Sequence, residues 1–173
     1  MLIFSFFLSL TALFLQATLF PSLNLLPFAP WIALVILRCN LGSALSLSSA
    51  AGVLMDLLSD DPIGLHALNY SITTALLYGY RKHFLFDVPL HLSLSTALVS
   101  ALSTFLQLIL LFLFDRRVPF SGKWILVDLG AMPVLDALYA LVWFAAPLAL
   151  FVTLRRIWVV FWLKRKNPSL ASH

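Results

Sequence analysis

The side chains able to do chemistry in this 173-residue chain are few, and most of them stand inside or beside apolar runs. All seven acidic residues are aspartates: Asp56, Asp60, Asp61, Asp87, Asp115, Asp128 and Asp136. Two carboxylates held close together can share the work of acid and base in hydrolysis, and Asp56 and Asp136 are the pair whose placement would let them meet. Asp56 has two further readings. It caps the helix that follows, where the dipole favours negative charge, or it serves as a polar anchor for a partner or a proton. His66, Asn69, Tyr70 and Thr73 recur at three and four residues, the spacing of one helix face, and predict a hydrogen-bonded polar stripe. No second His or Cys stands at ligand spacing from His66, and His83 and His91 belong at the opposite membrane face, so no metal site is expected. Cys39 is the only cysteine, which leaves no disulfide framework and no CxxC.

Sequence signatures of catalysis are missing. GxSxG, HExxH and GxxxxGK[ST] do not occur, nor do the GNxxDR-type signature of lipoprotein signal peptidases or the DGxxAR signature of membrane phosphatidyl-transferases. The expectation is a non-enzymatic protein without a cofactor. Composition points to its solvent. Hydrophobic residues make up 62% and charged residues 10%, where soluble domains run near half and a quarter. A chain this small exposes much of its surface, so it cannot hide that ratio from water. The net charge of +4 sits in short clusters between apolar runs, which is the pattern of membrane orientation and not of nucleic-acid binding.

These residues must be positioned by membrane helices of about 20 residues each. Met1 to Phe20 lacks the basic start of a signal peptide and reads as a retained first helix from Leu2. Pro21, Asn24, Pro27 and Pro30 end it. Arg38 and Asn40, followed by Gly42, predict a turn between a short second helix, about Phe28 to Leu37, and a third from about Leu41 to Leu58. The alternative merges 31–58 into one span and leaves five helices. Asp60, Asp61, Pro62 and Gly64 form a polar hairpin, a fourth helix runs from about Leu65 to Tyr80, and a fifth covers Pro89 to Phe114. Residues 118–130, with Trp124 as an aromatic anchor, read as an interfacial segment, and a sixth helix spans about Pro133 to Leu154. The fold class is thus an all-α integral membrane bundle of about six transmembrane helices, a single domain over 1–156 with a basic cytoplasmic tail over 157–173.

With both termini cytoplasmic, Arg38, Arg81, Lys82, Arg155, Arg156, Lys164, Arg165 and Lys166 lie inside, against Arg116, Arg117 and Lys123 outside, as the positive-inside rule requires. Asp60, Asp61, Asp115 and Asp128 then lie in outer loops. Asp136 is either a residue of the outer interface or a buried one. Small and hydroxylated residues let membrane helices approach, and three stripes supply them: Ser5, Ser9, Ala12 and Gln16; Gly42, Ser46, Ser49, Gly52 and Asp56; Ser93, Ala97, Ser100, Thr104 and Gln107.

Residues 52–70 read GVLMDLLSDDPIGLHALNY. Gly52, Asp56, Leu57, Leu58, Pro62, Gly64, Leu65, Ala67, Leu68 and Tyr70 resemble the most recognisable stretch of the rod-shape-determining protein MreD family; Asp60 and Asp61 stand where that family usually has small or polar residues. The resemblance implies a scaffold of the bacterial elongation machinery in the inner (cytoplasmic) membrane, which helps to position lateral peptidoglycan synthesis and so sets cell shape. Its implied partners are MreC foremost, then RodA, a class B penicillin-binding protein and MreB. The implied fold is similar to the substrate-binding subunit of energy-coupling-factor transporters. From that comes the alternative, a solute-binding subunit of a vitamin transporter, with an outward cavity lined by His66, Asn69, Tyr70 and Asp128.

Overall fold

Among the described residues the chain folds into six α-helices in the order α1 (Leu2–Leu19), α2 (Ala29–Arg38), α3 (Leu41–Leu58), α4 (Leu65–Tyr78), α5 (Pro89–Leu113) and α6 (Met132–Tyr139). This computed structural model describes residues 2–19, 25–59, 61–83, 89–114 and 125–147, together with 149, 150, 153, 154 and 158. Asp60, the segment 115–124 with Arg116, Arg117, Lys123 and Trp124, and the basic positions of the tail lie outside the described residues. Among the described residues three helical stretches, Leu41–Leu58, His91–Leu113 and Leu126–Ala145, are long and apolar enough to cross a membrane, and Leu2–Thr18 and Ala29–Arg38 add shorter apolar helices. The protein is a multi-pass membrane protein.

α2 lies at the centre. Ala29 to Leu37 are all buried, and the helix touches α1, α3, α4, α5 and α6. A helix apolar on every side stays out of water when other helices surround it, and this one has partners on all faces. Phe28, Ile32 and Val35 pack with Ala44 and Ala51 of α3, Tyr70 of α4, Val99 of α5 and Phe144 beyond α6. At about 1.5 Å per residue its 10 residues cover only about half a bilayer.

The chain between α2 and α3 is a true break: Cys39 and Asn40 both have extended backbone, with ψ of 163° and 158°. The single-span alternative over 31–58 is therefore not adopted. Arg81, in a 3₁₀ turn that continues α4 over Gly79–His83, stacks on Tyr78 at 4.2 Å and donates to the Cys39 carbonyl at 3.0 Å. That bond ties the α2–α3 turn to the end of α4.

The last helix differs from expectation. Helical structure is already present over Ile125–Ala131, ahead of Pro133, as a π-helical turn, and a second π turn over Ala140–Ala145 follows α6. Pro133 and Pro147 explain both turns. Each lacks the N–H that would reach back four residues, and a widened turn upstream takes up the resulting mismatch. Asp128 consequently sits within a helix and not in an outer loop.

Candidate functional site

The α3–α4 hairpin is organised by one carboxylate. Asp56 is 4% exposed; its Oδ2 accepts from the Gly64 and Ala67 amides at 3.0 and 3.2 Å, and its Oδ1 from the His66 amide at 2.8 Å. These N–H groups at the start of α4 have no partner within the helix, and the positive end of the dipole faces the carboxylate. Gly64 reaches its place with φ of 94°, a conformation that costs a side-chain-bearing residue about 1–2 kcal/mol. Gly52, one turn before Asp56, brings the two helices together: a Cβ there would strike the Ala67 backbone and come within 2.6 Å of the His66 carbonyl. Leu65 is buried in the hairpin, whereas Leu57 and Leu58 point outward. Pro62 accepts from the Leu65 amide at 3.1 Å, closing the turn.

Asp136 is fully buried. Its Oδ1 accepts from the Leu26 amide at 3.1 Å and its Oδ2 from the Ser100 hydroxyl. Leu25 and Leu26 belong to non-helical chain just before α2. Irregular backbone at membrane depth is tolerated only where protein satisfies it, and here Asp136 takes the Leu26 N–H while Gln16 donates to the Leu25 carbonyl at 3.2 Å. Asp56 and Asp136 are thus occupied by different backbone segments, and the two carboxylates share no hydrogen-bond partner among the described residues.

His66, Asn69, Tyr70 and Thr73 form one buried face of α4. Asn69 Nδ2 donates to the Ser103 carbonyl and hydroxyl at 3.1 and 3.0 Å, and Thr73 donates to Asn69 Oδ1 at 3.4 Å. Thr74 donates to Ser48 at 2.7 Å, a tie to α3 that the spacing argument missed. The stripe expected on α3 is rotated. Gly42 and Ser46 are exposed, and the buried side runs through Ala44, Ser48, Ala51, Gly52 and Asp56. So many residues of α3 are small that several faces share the same spacing; anchoring Asp56 on α4 selects the set that recedes from it in steps of four. Ser5, Ser9 and Ala12 of α1 are buried as a stripe, with Gln16 half-buried at its end. On α5, Ser93 and Ser100 are buried with the unforeseen Ser95, Thr96 and Ser103.

At the hairpin end α1, α3, α4, α5 and α6, with the chain that leads into α2, border a cavity of about 400 Å³. Gln16, Asp61, His66, Thr104, Gln107 and Asp128 line it together with leucines and methionines. His66 and Asp128 are therefore brought together as expected for an outward cavity, but Asn69 and Tyr70 are not in its wall and serve the helix packing. His66 Nε2 stands 3.3 Å from Asp61 Oδ2, and its Nδ1 is buried without a partner. A second cavity of about 430 Å³, wholly apolar, runs between α1 and α3 over Trp31.

Comparison with protein families, with characterised proteins and with solved structures finds no match to this chain.

Proposed function

We propose that the chain is a non-enzymatic membrane scaffold of the MreD kind, which binds MreC and helps to position lateral peptidoglycan synthesis in the inner membrane. The observation that carries this reading is the run at 52–70, in which six residues of the resemblance have a physical task, while Leu57, Leu58 and Leu68 are exposed. Gly52 permits contact, Asp56 caps, Pro62 and Gly64 turn, and Leu65 and Tyr70 fill the core. The apolar groove between α1 and α3 supports it further. Leu2, Ile3, Phe6, Leu47, Ala50 and Leu54 line it, and small residues beside large ones suit a membrane helix that associates by van der Waals contact.

The test is photocrosslinking in cells, with a reactive residue placed at Ile3, Leu47 or Leu54 and, as a comparison, at the exposed positions Phe112 and Val134. Crosslinks to MreC from the first group and none from the second are expected. Absence of MreC from every adduct, with the protein expressed and inserted, defeats the reading.

A further inference from the structure

Where α4 and α5 meet α2, at the end away from the hairpin, they leave a slot lined by Ala33, Ile36, Leu77, Ser95, Leu98 and Arg81. Leu98 is exposed, as is Leu94 one turn before it, so the slot opens onto the lipid-facing side of α5. Ser95 is buried and its hydroxyl is spent on the Leu92 carbonyl at 2.9 Å. The Arg81 guanidinium is therefore the polar group that the slot presents. At about 20 Å³ the slot has little more room than one water needs, far below the roughly 300–1,000 Å³ that encloses a small solute. The occupant that suits it is a molecule already held by the bilayer, which lies along the slot and needs no enclosure.

Arg81 is fixed from two sides. Its guanidinium stacks on Tyr78 at 4.2 Å, and one N–H donates to the Cys39 carbonyl at 3.0 Å. A guanidinium carries five N–H groups in a planar fork that matches a phosphate, so one bond to a carbonyl does not exhaust it. Arg38 directly precedes Cys39, and the exposed Lys82 directly follows Arg81, so three basic residues form or flank one hydrogen bond. Basic groups between membrane helices on the cytoplasmic side attract anionic headgroups. A zwitterionic headgroup would bring a cation of its own to the same place.

We infer that this slot is a docking surface for an anionic phospholipid, whose phosphate lies on Arg81 and whose acyl chain runs along Leu77, Leu94 and Leu98. The inference goes beyond the scaffold reading and needs nothing from it.

The full chain, purified in detergent, is titrated with phosphatidylglycerol and with phosphatidylethanolamine of identical chains, and bound lipid is read by native mass spectrometry. Phosphatidylglycerol should bind at least fivefold tighter. Arg81→Gln, checked for wild-type elution on size exclusion, should weaken it by fivefold or more, whereas Lys82→Gln, outside the slot wall, should weaken it by twofold or less. Leu98→Trp fills the rim without changing charge; it should cost threefold or more, and it decides the matter if the Arg81 variant does not elute as wild type. Asp87, which lies outside the described residues, is a rival anion for Arg81 by its place in the sequence, and Asp87→Asn should change the affinity by less than threefold. Equal affinity for the two lipids, equal loss in the Arg81 and Lys82 variants, unchanged affinity in Leu98→Trp, or a larger gain in Asp87→Asn overturns the inference.

Discussion

Two glycines of α3 show how little of a residue's role lies in its type. Gly42 has open space where a Cβ would stand, while Gly52 has the backbone of α4 there. Gly42→Ala should leave stability unchanged or raise it by less than about 1 kcal/mol, since alanine favours the helix. Gly52→Ala should lower it by about 1–3 kcal/mol through overpacking. Reversible unfolding in mixed micelles measures both, and similar values for the pair would mean that the contact face is misassigned. Asp56 is the second test at this scale. Asp56→Ala strands three amides and should cost about 2–3 kcal/mol; Asp56→Asn, which keeps one acceptor oxygen, should lose roughly half of that on the same assay.

Between elements, polar side chains do the joining, because hydrocarbon gives helices no hydrophobic reason to associate. Asn69 with Ser103 links α4 to α5, and Thr74 with Ser48 links α4 to α3. A double-mutant cycle on Asn69→Ala and Ser103→Ala should return a coupling of about 0.6 to 1.7 kcal/mol; a value near zero would assign their contact no energetic weight. Much of this level was legible. The bounds of α3 match those expected, because Asn40 and the hairpin polar residues punctuate an apolar run. The start of the last helix was not, because a π turn ahead of Pro133 leaves no signature that separates it from an interfacial loop. Rotation of α3 was ambiguous for a related reason: a helix rich in Ser, Ala and Gly has no single small face. The cavity was only half legible, since its wall is assembled from five helices and the chain before α2, and only the tertiary fold brings Gln16 and Gln107 to one wall.

At the level of the whole molecule, the arrangement places Arg38, Arg81 and Lys82 at the end where α2 meets α3, remote from the hairpin. Cys39, partly exposed at that turn, makes a natural reporter of orientation. A membrane-impermeant maleimide should label it in inverted vesicles and not in intact cells, in keeping with the positive-inside rule; labelling from the outer side would reverse the topology. The central place of α2 also explains why a helix of half a bilayer's length is stable there: its neighbours, and not lipid, surround it.

The bond from the Leu26 amide to Asp136 spans 110 positions, and it dictates an order of assembly. A nascent chain leaving the translocon presents α1 and the unwound approach to α2 long before the last helix has been synthesised. Until that helix arrives, the Leu26 N–H lacks this acceptor, so the approach to α2 reaches its final hydrogen bonding only after the last helix has been made.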